Sequence, residues 1–215
     1  PAVNSYVGRV KASGFDGVVV NITKPPARCD AAAGKGLGLP RGRVFGTGTG
    51  LDTSRLLSAL ARQTGIDHKS ITAYMLGEHG ISSLRHGAMF PSEENLGGMG
   101  KEDERFRFDR DALQKESIRG GWVTFSGKYC TEYGIATTAA RMVSIVLHDE
   151  KQIMPASAEL CGEYAEGRIF GVPCVIGKNG VEEVIELSLN EREKEELKKS
   201  CDVIRGNIKM VEEKK

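Results

Sequence analysis

The sequence predicts an α/β unit at the amino end of the chain, followed by a longer region of α+β type. Residues 15–23 form a β-branched run that is apolar on both faces, which is typical of a central strand in a parallel sheet. A helical segment and a second short strand at 43–46 follow, so this part is predicted as strand, helix, strand. Near the carboxyl end, Asn179-Gly180 separates two apolar segments, and this dipeptide indicates an antiparallel hairpin.

Apolar spacing and turn residues predict the elements of the first half. A helix is expected at 3–12, where the apolar residues share one face. Pro26 ends the strand segment and begins a helix to about residue 34, because proline is tolerated in a first turn. The helix at 52–64 carries an apolar stripe, and a further strand is expected at 70–77.

The second half contains three predicted helices. The first begins near residue 109 and is expected to end at Gly120-Gly121, since glycine commonly ends a helix. The second, at 133–148, has a small-residue face suited to close packing, formed by Ala136, Ala139 and Ala140. The last opens with Asn190 as its cap and Glu193 at the capping-box position. Its apolar face comprises Leu197, Cys201, Ile204, Ile208 and Val211.

The composition is that of an ordinary globular protein and argues against several classes. The net charge is +1 over 215 residues, with acids and bases interspersed, so the chain lacks an electrostatic footprint for nucleic acid. No apolar run approaches the ~20 residues of a membrane helix, and residues 1–14 lack the apolar core of a signal peptide. Five cysteines without a CxxC spacing argue against a zinc site and a complete disulfide framework. We expect a cytoplasmic protein with reduced thiols and no metal, nucleic-acid or membrane partner.

Three polar residues could carry chemistry. His79 lies in the stretch AYMLGEHG at the end of a predicted strand, while Asp52 and Arg55 share one face at the start of a helix. A carboxylate beside a histidine favours the imidazolium, which makes the pair a general acid for a carbonyl and a base for an alcohol. An arginine can bind a substrate carboxylate through two hydrogen bonds. The simpler interpretation is a polar turn, an acid that stabilises the helix dipole and a solvated arginine.

These stretches resemble the L-lactate/L-malate dehydrogenase superfamily. The resemblance rests on GTGTGLDTSRLL, on AYMLGEHG with His79 24 residues after Arg55, and on GKYCTEYGIATTAARM and GVPCVIGKNGVEEVIELSL. It covers about residues 15–206 and is most similar to the bacterial L-lactate and L-2-hydroxyisocaproate dehydrogenases. It implies that residues 1–46 are the tail end of a Rossmann-like dinucleotide-binding domain. Residues 47–215 would then be the C-terminal substrate-binding and catalytic domain of the family.

The resemblance also implies a reaction and roles for particular residues. The reaction is hydride transfer between NAD and a small 2-oxo or 2-hydroxy acid, in a homo-oligomer that is a dimer or a tetramer. His79 would be the catalytic acid and base, and Asp52 its carboxylate partner. The implied substrate-binding residues are Arg55, Lys24 and Thr131, and the implied cofactor-binding residues are Thr23 and Lys24.

Three features depart from the family pattern. Lys24 stands where the family has an asparagine that bonds the substrate oxygen, and lysine offers donors but no acceptor. Ile81 follows GEHG, where aspartate is usual. No G-x-G-x-x-G fingerprint opens a βα unit, so the cofactor-binding part is expected to be missing and the chain alone inactive. Two alternatives stay open: a non-catalytic assembly module of the same fold, and malate rather than lactate as substrate.

Overall fold

The computed structural model describes residues 2–23, 26–77, 88–89, 109–165 and 169–212. The helices are α1 (Ala2–Ala12), α2 (Pro26–Leu37), α3 (Gly50–Thr64), α4 (Arg110–Lys128), α5 (Glu132–His148) and α6 (Glu191–Glu212). The strands are β1 (Val19–Asn21), β2 (Val44–Gly46), β3 (Tyr74–Met75), β4 (Ala88–Met89), β5 (Gln152–Glu159), β6 (Ile169–Gly177) and β7 (Gly180–Val184).

One mixed sheet joins the two parts of the chain. Its strand order is β1-β2-β5-β6-β7, in which β1 and β2 run parallel and every other neighbouring pair is antiparallel. The α2 helix connects the parallel pair, and a two-residue turn connects β6 to β7. The short strands β3 and β4 pair with each other in a separate ribbon. The predicted α/β plus α+β class and the predicted hairpin are therefore confirmed.

Three apolar clusters of the described residues hold the helices to the sheets, and the smallest of them packs α1 and α2 against β1 and β2. The main cluster packs α5 and α6 against the five-stranded sheet, and α6 contributes Leu197, Cys201 and Ile204, as its apolar spacing predicts. The side chains of Ile208 and Val211 lie outside the described residues. The second cluster joins α3 to α4 and β3 through Leu56, Leu60, Met75 and Leu113. No helix of the described ranges is both long and apolar enough to cross a membrane.

The predicted strands of the first half are longer than the observed ones. β1 occupies only Val19–Asn21 and lies at the edge of the described sheet, not at its centre. The chain leaves the sheet after Asn21, because the backbone N–H of Thr23 donates to the Asn21 side chain, 3.2 Å away. The segment 70–77 forms only the two-residue strand β3. A 3₁₀ turn capped by Asp67 occupies the residues just before Ile71.

Two expectations about helices are wrong. The α4 helix continues through Gly120 and Gly121 to Lys128. A side chain at Gly121 would clash with the Arg55 guanidinium, since its Cβ would lie 2.9 Å from Nη1, so close packing explains this glycine. On α5, the predicted small-residue face is not the packing face, because the buried side chains there are Thr138, Met142 and Ile145.

The capping box of α6 is present and gives a stability prediction. Asn190 Oδ1 accepts from the backbone N–H of Glu193, and Glu193 Oε2 accepts from the backbone N–H of Asn190, both at 2.9 Å. We expect Asn190→Ala to lower the free energy of unfolding by about 1 kcal/mol, measured by urea denaturation. Glu195→Gln, an exposed change in the same helix, serves as the control. An unchanged midpoint for Asn190→Ala would contradict a stabilising role for the cap.

Candidate functional site

Three predicted site residues of the first half, Thr23, Asp52 and Arg55, lie in the segments that follow the carboxyl ends of β1 and β2. Because β1 and β2 are parallel, their carboxyl ends open on the same side. Thr23 follows the end of β1, and Thr49 leads from β2 into α3. In α/β sheets this edge is where ligands bind, because loops and helix amino ends meet there.

The strand that precedes the GEHG motif is tied to this edge at three points. The hydroxyl of Thr49 donates to the carbonyl of Met75 at 2.6 Å, and the amide of Met75 donates to the hydroxyl of Thr53 at 3.0 Å. Gly77 and Gly171 exchange two backbone hydrogen bonds, at 2.9 and 3.1 Å. These bonds fix the chain between the start of α3 and β6, immediately before Glu78.

The contact between Gly77 and Gly171 leaves no room for a side chain. A Cβ at Gly171 would lie 2.6 Å from the carbonyl oxygen of Gly77 and 2.7 Å from Cγ2 of Thr49. We expect Gly171→Ala to lower the free energy of unfolding by about 2 kcal/mol, because the backbone must shift. The measurement is urea denaturation, with Gly8→Ala as the matched control. Gly8 is an exposed position in α1 with open space around it, where alanine is expected to be neutral or stabilising. Equal midpoints for the two variants would contradict the close approach.

Asp52 and Arg55 form an ion pair in the first turns of α3. Arg55 Nη1 lies 3.3 Å from Asp52 Oδ1, and the two side chains are only 19% and 17% exposed. The Arg55 side chain passes over Gly120 and Gly121 of α4. It lines an open groove of about 190 Å³ between α3 and α4, together with Ser54, Ser58, Arg62, Glu116 and Gly120. A partly buried guanidinium beside a groove can bind a carboxylate through two parallel N–H···O hydrogen bonds.

The other predicted site residues are placed only in part. Thr131 immediately precedes α5, and its side chain makes no capping hydrogen bond to that helix. The first turns of α5 pack on the start of α3. At Gly134 the contact is so close that an added Cβ would lie 2.6 Å from the Leu51 side chain. Lys24 and His79 lie outside the described residues. The structure thus brings Asp52 and Arg55 together and places Thr131 just before a helix that packs against the start of α3.

A buried polar network beside β1 was missed by the sequence reasoning. Asp30 of α2 is 1% exposed, and its Oδ1 accepts from Asn21 Nδ2 at 2.6 Å. Burial raises the pKa of the Asp30 carboxyl to about 7, although the side chains of Ser157 and Asn21 favour the anion. Two features of the sequence could have indicated this network. One is the acid within the run CDAAAG, and the other is the asparagine at the end of a β-branched strand. Among the described residues, no group of three or more His, Cys, Asp or Glu side chains is placed to hold a metal ion.

The raised pKa of Asp30 predicts a pH dependence of stability. Between the ordinary Asp value of 3.8 and about 7, the folded chain keeps a proton that the unfolded chain has lost. The free energy of unfolding should therefore fall as the pH rises through this window, by about 1.4 kcal/mol per pH unit at most, and level off above it. Asp30→Asn should remove this slope, which urea denaturation at several pH values between 5 and 8 measures. Parallel slopes for the two proteins would contradict the assignment.

The relatives of the chain identify its family. Residues 49–215 match the lactate/malate dehydrogenase, alpha/beta C-terminal domain. The L-lactate dehydrogenase of Fusobacterium nucleatum subsp. nucleatum is 39% identical over 213 residues, which cover 97% of this chain and 67% of that protein. L-lactate dehydrogenase 3 of Bacillus cereus is 37% identical over 217 residues with the same coverage. The chain therefore belongs to the lactate/malate dehydrogenase family, and it spans about two-thirds of the length of these relatives.

Solved structures agree with this assignment. The ligand-bound minor L-lactate dehydrogenase from Enterococcus mundtii superposes with a TM-score of 0.86 at 33% identity, covering 98% of this chain and 68% of that one. The malate dehydrogenase from Aeropyrum pernix gives a TM-score of 0.81 at 27% identity, covering 97% and 68%. The resemblance read from the sequence motifs, and the fold that it implies, are confirmed.

Proposed function

We propose that this chain is the substrate-binding and catalytic part of an NAD-dependent L-2-hydroxyacid dehydrogenase that interconverts pyruvate and L-lactate. The observation that carries the proposal is the partly buried pair of Asp52 and Arg55 at the start of α3. The pair stands beside the strand that leads into the GEHG motif. The names of the bacterial relatives, L-lactate dehydrogenase, support pyruvate as the substrate.

The proposed site requires His79 to reach Asp52, and the described residues support this. The sequence places His79 two residues after Gly77, and two residues span at most about 7 Å. Gly77 is hydrogen-bonded to Gly171, which in turn lies against Thr49 at the start of α3. What supports the proposal is that Gly77, two residues before His79 in the sequence, is held beside the residues that lead into α3.

Three residues of the chain have defined roles in the proposed reaction. A nicotinamide cofactor, when bound, supplies the hydride that reduces the carbonyl carbon. Arg55 binds the substrate carboxylate and so orients the carbonyl. His79 gives its proton to the carbonyl oxygen as the alcohol forms, and takes it back when lactate is oxidised. Asp52 orients the imidazole and favours its protonated form.

The chain supplies only part of a cofactor site. Thr23, which follows β1 at the open edge of the parallel strands, and Lys24, the next residue in the sequence, would face the nicotinamide end. The sequence has no G-x-G-x-x-G fingerprint to hold a pyrophosphate, and by the family resemblance the GTGTG run between β2 and α3 belongs to the substrate-side loop. We further propose that the active form is a cytoplasmic homo-oligomer with a cofactor-binding part, which would correspond to the third of the relatives' length that this chain does not cover.

The experiment joins this chain, at its amino end, to the part of the F. nucleatum enzyme that it does not match. NADH absorbance is followed with pyruvate and, separately, with oxaloacetate. We expect turnover of pyruvate by the fusion and none by the 215-residue chain alone. Preference for oxaloacetate would favour the malate alternative, and the absence of turnover with either acid from a folded fusion would overturn the proposal.

A second candidate, an assembly module without activity, is favoured by Lys24 and Ile81, which depart from the family pattern. If Lys24 is a defect in a working site, Lys24→Asn in the fusion should raise kcat/KM for pyruvate about tenfold, the value of one good hydrogen bond. A lower kcat/KM would instead make Lys24 an adapted substrate contact. A fusion that stays inactive with and without this change would support the assembly module.

A further inference from the structure

Asp30 is a buried carboxyl group that the proposed chemistry does not use. It lies on α2, against Gly46 of β2. Its Oδ2 has no well-formed hydrogen bond among the described residues, although the hydroxyl of Ser157 favours the anion. A buried acid with one oxygen unpaired reduces stability. Such a residue is expected where it serves another purpose.

Hydrogen bonds connect Asp30, through Asn21, to the predicted site residue Thr23. The amide nitrogen of Asn21 donates to Asp30 Oδ1 at 2.6 Å, and this orientation is fixed by the backbone N–H of Thr23, which can only donate and therefore requires the Asn21 oxygen on its side. The Asn21 oxygen then faces Thr23, where it accepts from the backbone N–H at 3.2 Å and from the hydroxyl at 2.6 Å. Both hydrogen-bond donors of Thr23 are therefore committed. The hydroxyl oxygen keeps only its capacity to accept.

We propose that Asp30 is a positioning residue that acts through Asn21 and holds Thr23 as a hydrogen-bond acceptor at the open edge of β1 and β2. The group that fits such an acceptor is an N–H donor, and the carboxamide of a nicotinamide ring carries one. The inference rests on the proposed function, which places Thr23 on the cofactor side. It adds a device that fixes the acceptor before the cofactor arrives, which lowers the cost of ordering on binding.

The network can be observed without any cofactor. The α2 helix packs against α1, α6 and the strands β1, β2, β5 and β6. Within the described part of these elements, the groups that influence Asp30 are Ser157 and Asn21, and no charged side chain contributes. A change at Thr23 that follows the ionisation of Asp30 therefore reports the path through Asn21.

The first test is an NMR titration of the 215-residue chain. The amide signal of Thr23 should move with the Asp30 carboxyl signal, with a midpoint near pH 7. Asn21→Leu should abolish the movement at Thr23 while Asp30 still titrates. Ser157→Ala, the matched control, removes the other side chain that favours the Asp30 anion, and it should leave the movement in place with a higher midpoint. A Thr23 signal that stays fixed while Asp30 titrates would overturn the proposal.

The second test is kinetic and uses the fusion enzyme. Asn21→Leu and Asp30→Leu should raise KM for NADH about tenfold, the effect of one lost hydrogen bond, while kcat with pyruvate changes less than twofold. Ser157→Ala should leave KM for NADH within twofold. If the wild-type fusion does not turn over pyruvate, the proposed function fails while the titration still decides the network. If it does turn over and Asn21→Leu leaves KM for NADH unchanged, the positioning role is wrong.

Discussion

Replacing His79 by asparagine in the fusion enzyme is expected to lower kcat for pyruvate reduction by a factor of about 10²–10⁴. Asparagine keeps a polar side chain of similar reach but cannot give a proton at neutral pH, and general acid catalysis contributes roughly this factor. KM for pyruvate should change far less, because Arg55 still binds the carboxylate. The measurement is steady-state NADH oxidation at saturating pyruvate.

His68→Asn is the matched control for this prediction. His68 lies in an exposed 3₁₀ turn, with its side chain 57% exposed beside Asp67. The control should retain wild-type kcat. A His79→Asn fusion that keeps more than a tenth of the wild-type kcat would contradict the acid/base role.

Replacing Arg55 by lysine is expected to lower kcat/KM for pyruvate about a hundredfold or more. Lysine preserves the charge but cannot present two parallel N–H donors to a carboxylate. The loss of one charge-assisted hydrogen bond accounts for about 1.5–3 kcal/mol, and a poorly oriented carbonyl adds to it. Most of the loss should appear as a higher KM for pyruvate, with KM for NADH nearly unchanged.

Arg62→Lys provides the comparison for Arg55→Lys. Arg62 lines the same groove two helical turns further along α3 and pairs with Glu116, and its side chain is 68% exposed. Exposed ion pairs contribute little, so this variant should behave as the wild type. If both variants lose activity equally, the groove as a whole binds substrate and Arg55 has no special role.

The fold could be predicted from sequence where local pattern and tertiary packing agree. The α6 cap and its apolar spacing, the hairpin before β7 and the parallel β1–β2 pair all follow from such patterns. The end of α4 could not be predicted, because Gly121 is explained by a contact with Arg55 on a distant helix. The β-branched run at 15–23 likewise predicted a strand longer than β1. Its end is set by a side-chain hydrogen bond from Thr23 to Asn21.

The candidate site also has features that could be predicted from the sequence and features that could not. The spacing of Asp52 and Arg55 placed them on one helical face, and the observed ion pair agrees with this. The contact of Asp30 with Asn21 could not be predicted from the sequence. It joins a helix to a strand nine residues earlier, and no periodic pattern of residues indicates it. The roles of all the predicted site residues stay predictions, namely those of Thr23, Lys24, Asp52, Arg55, His79 and Thr131.

The most direct test of the proposed site is the distance between a ring nitrogen of His79 and a carboxylate oxygen of Asp52. A crystal structure of the fusion enzyme measures it. We predict a hydrogen bond of at most about 3.2 Å, with the Arg55 guanidinium directed into the same cavity. A His79 ring beyond about 6 Å from Asp52, or on the opposite side of α3 from Arg55, would contradict the proposed catalytic site.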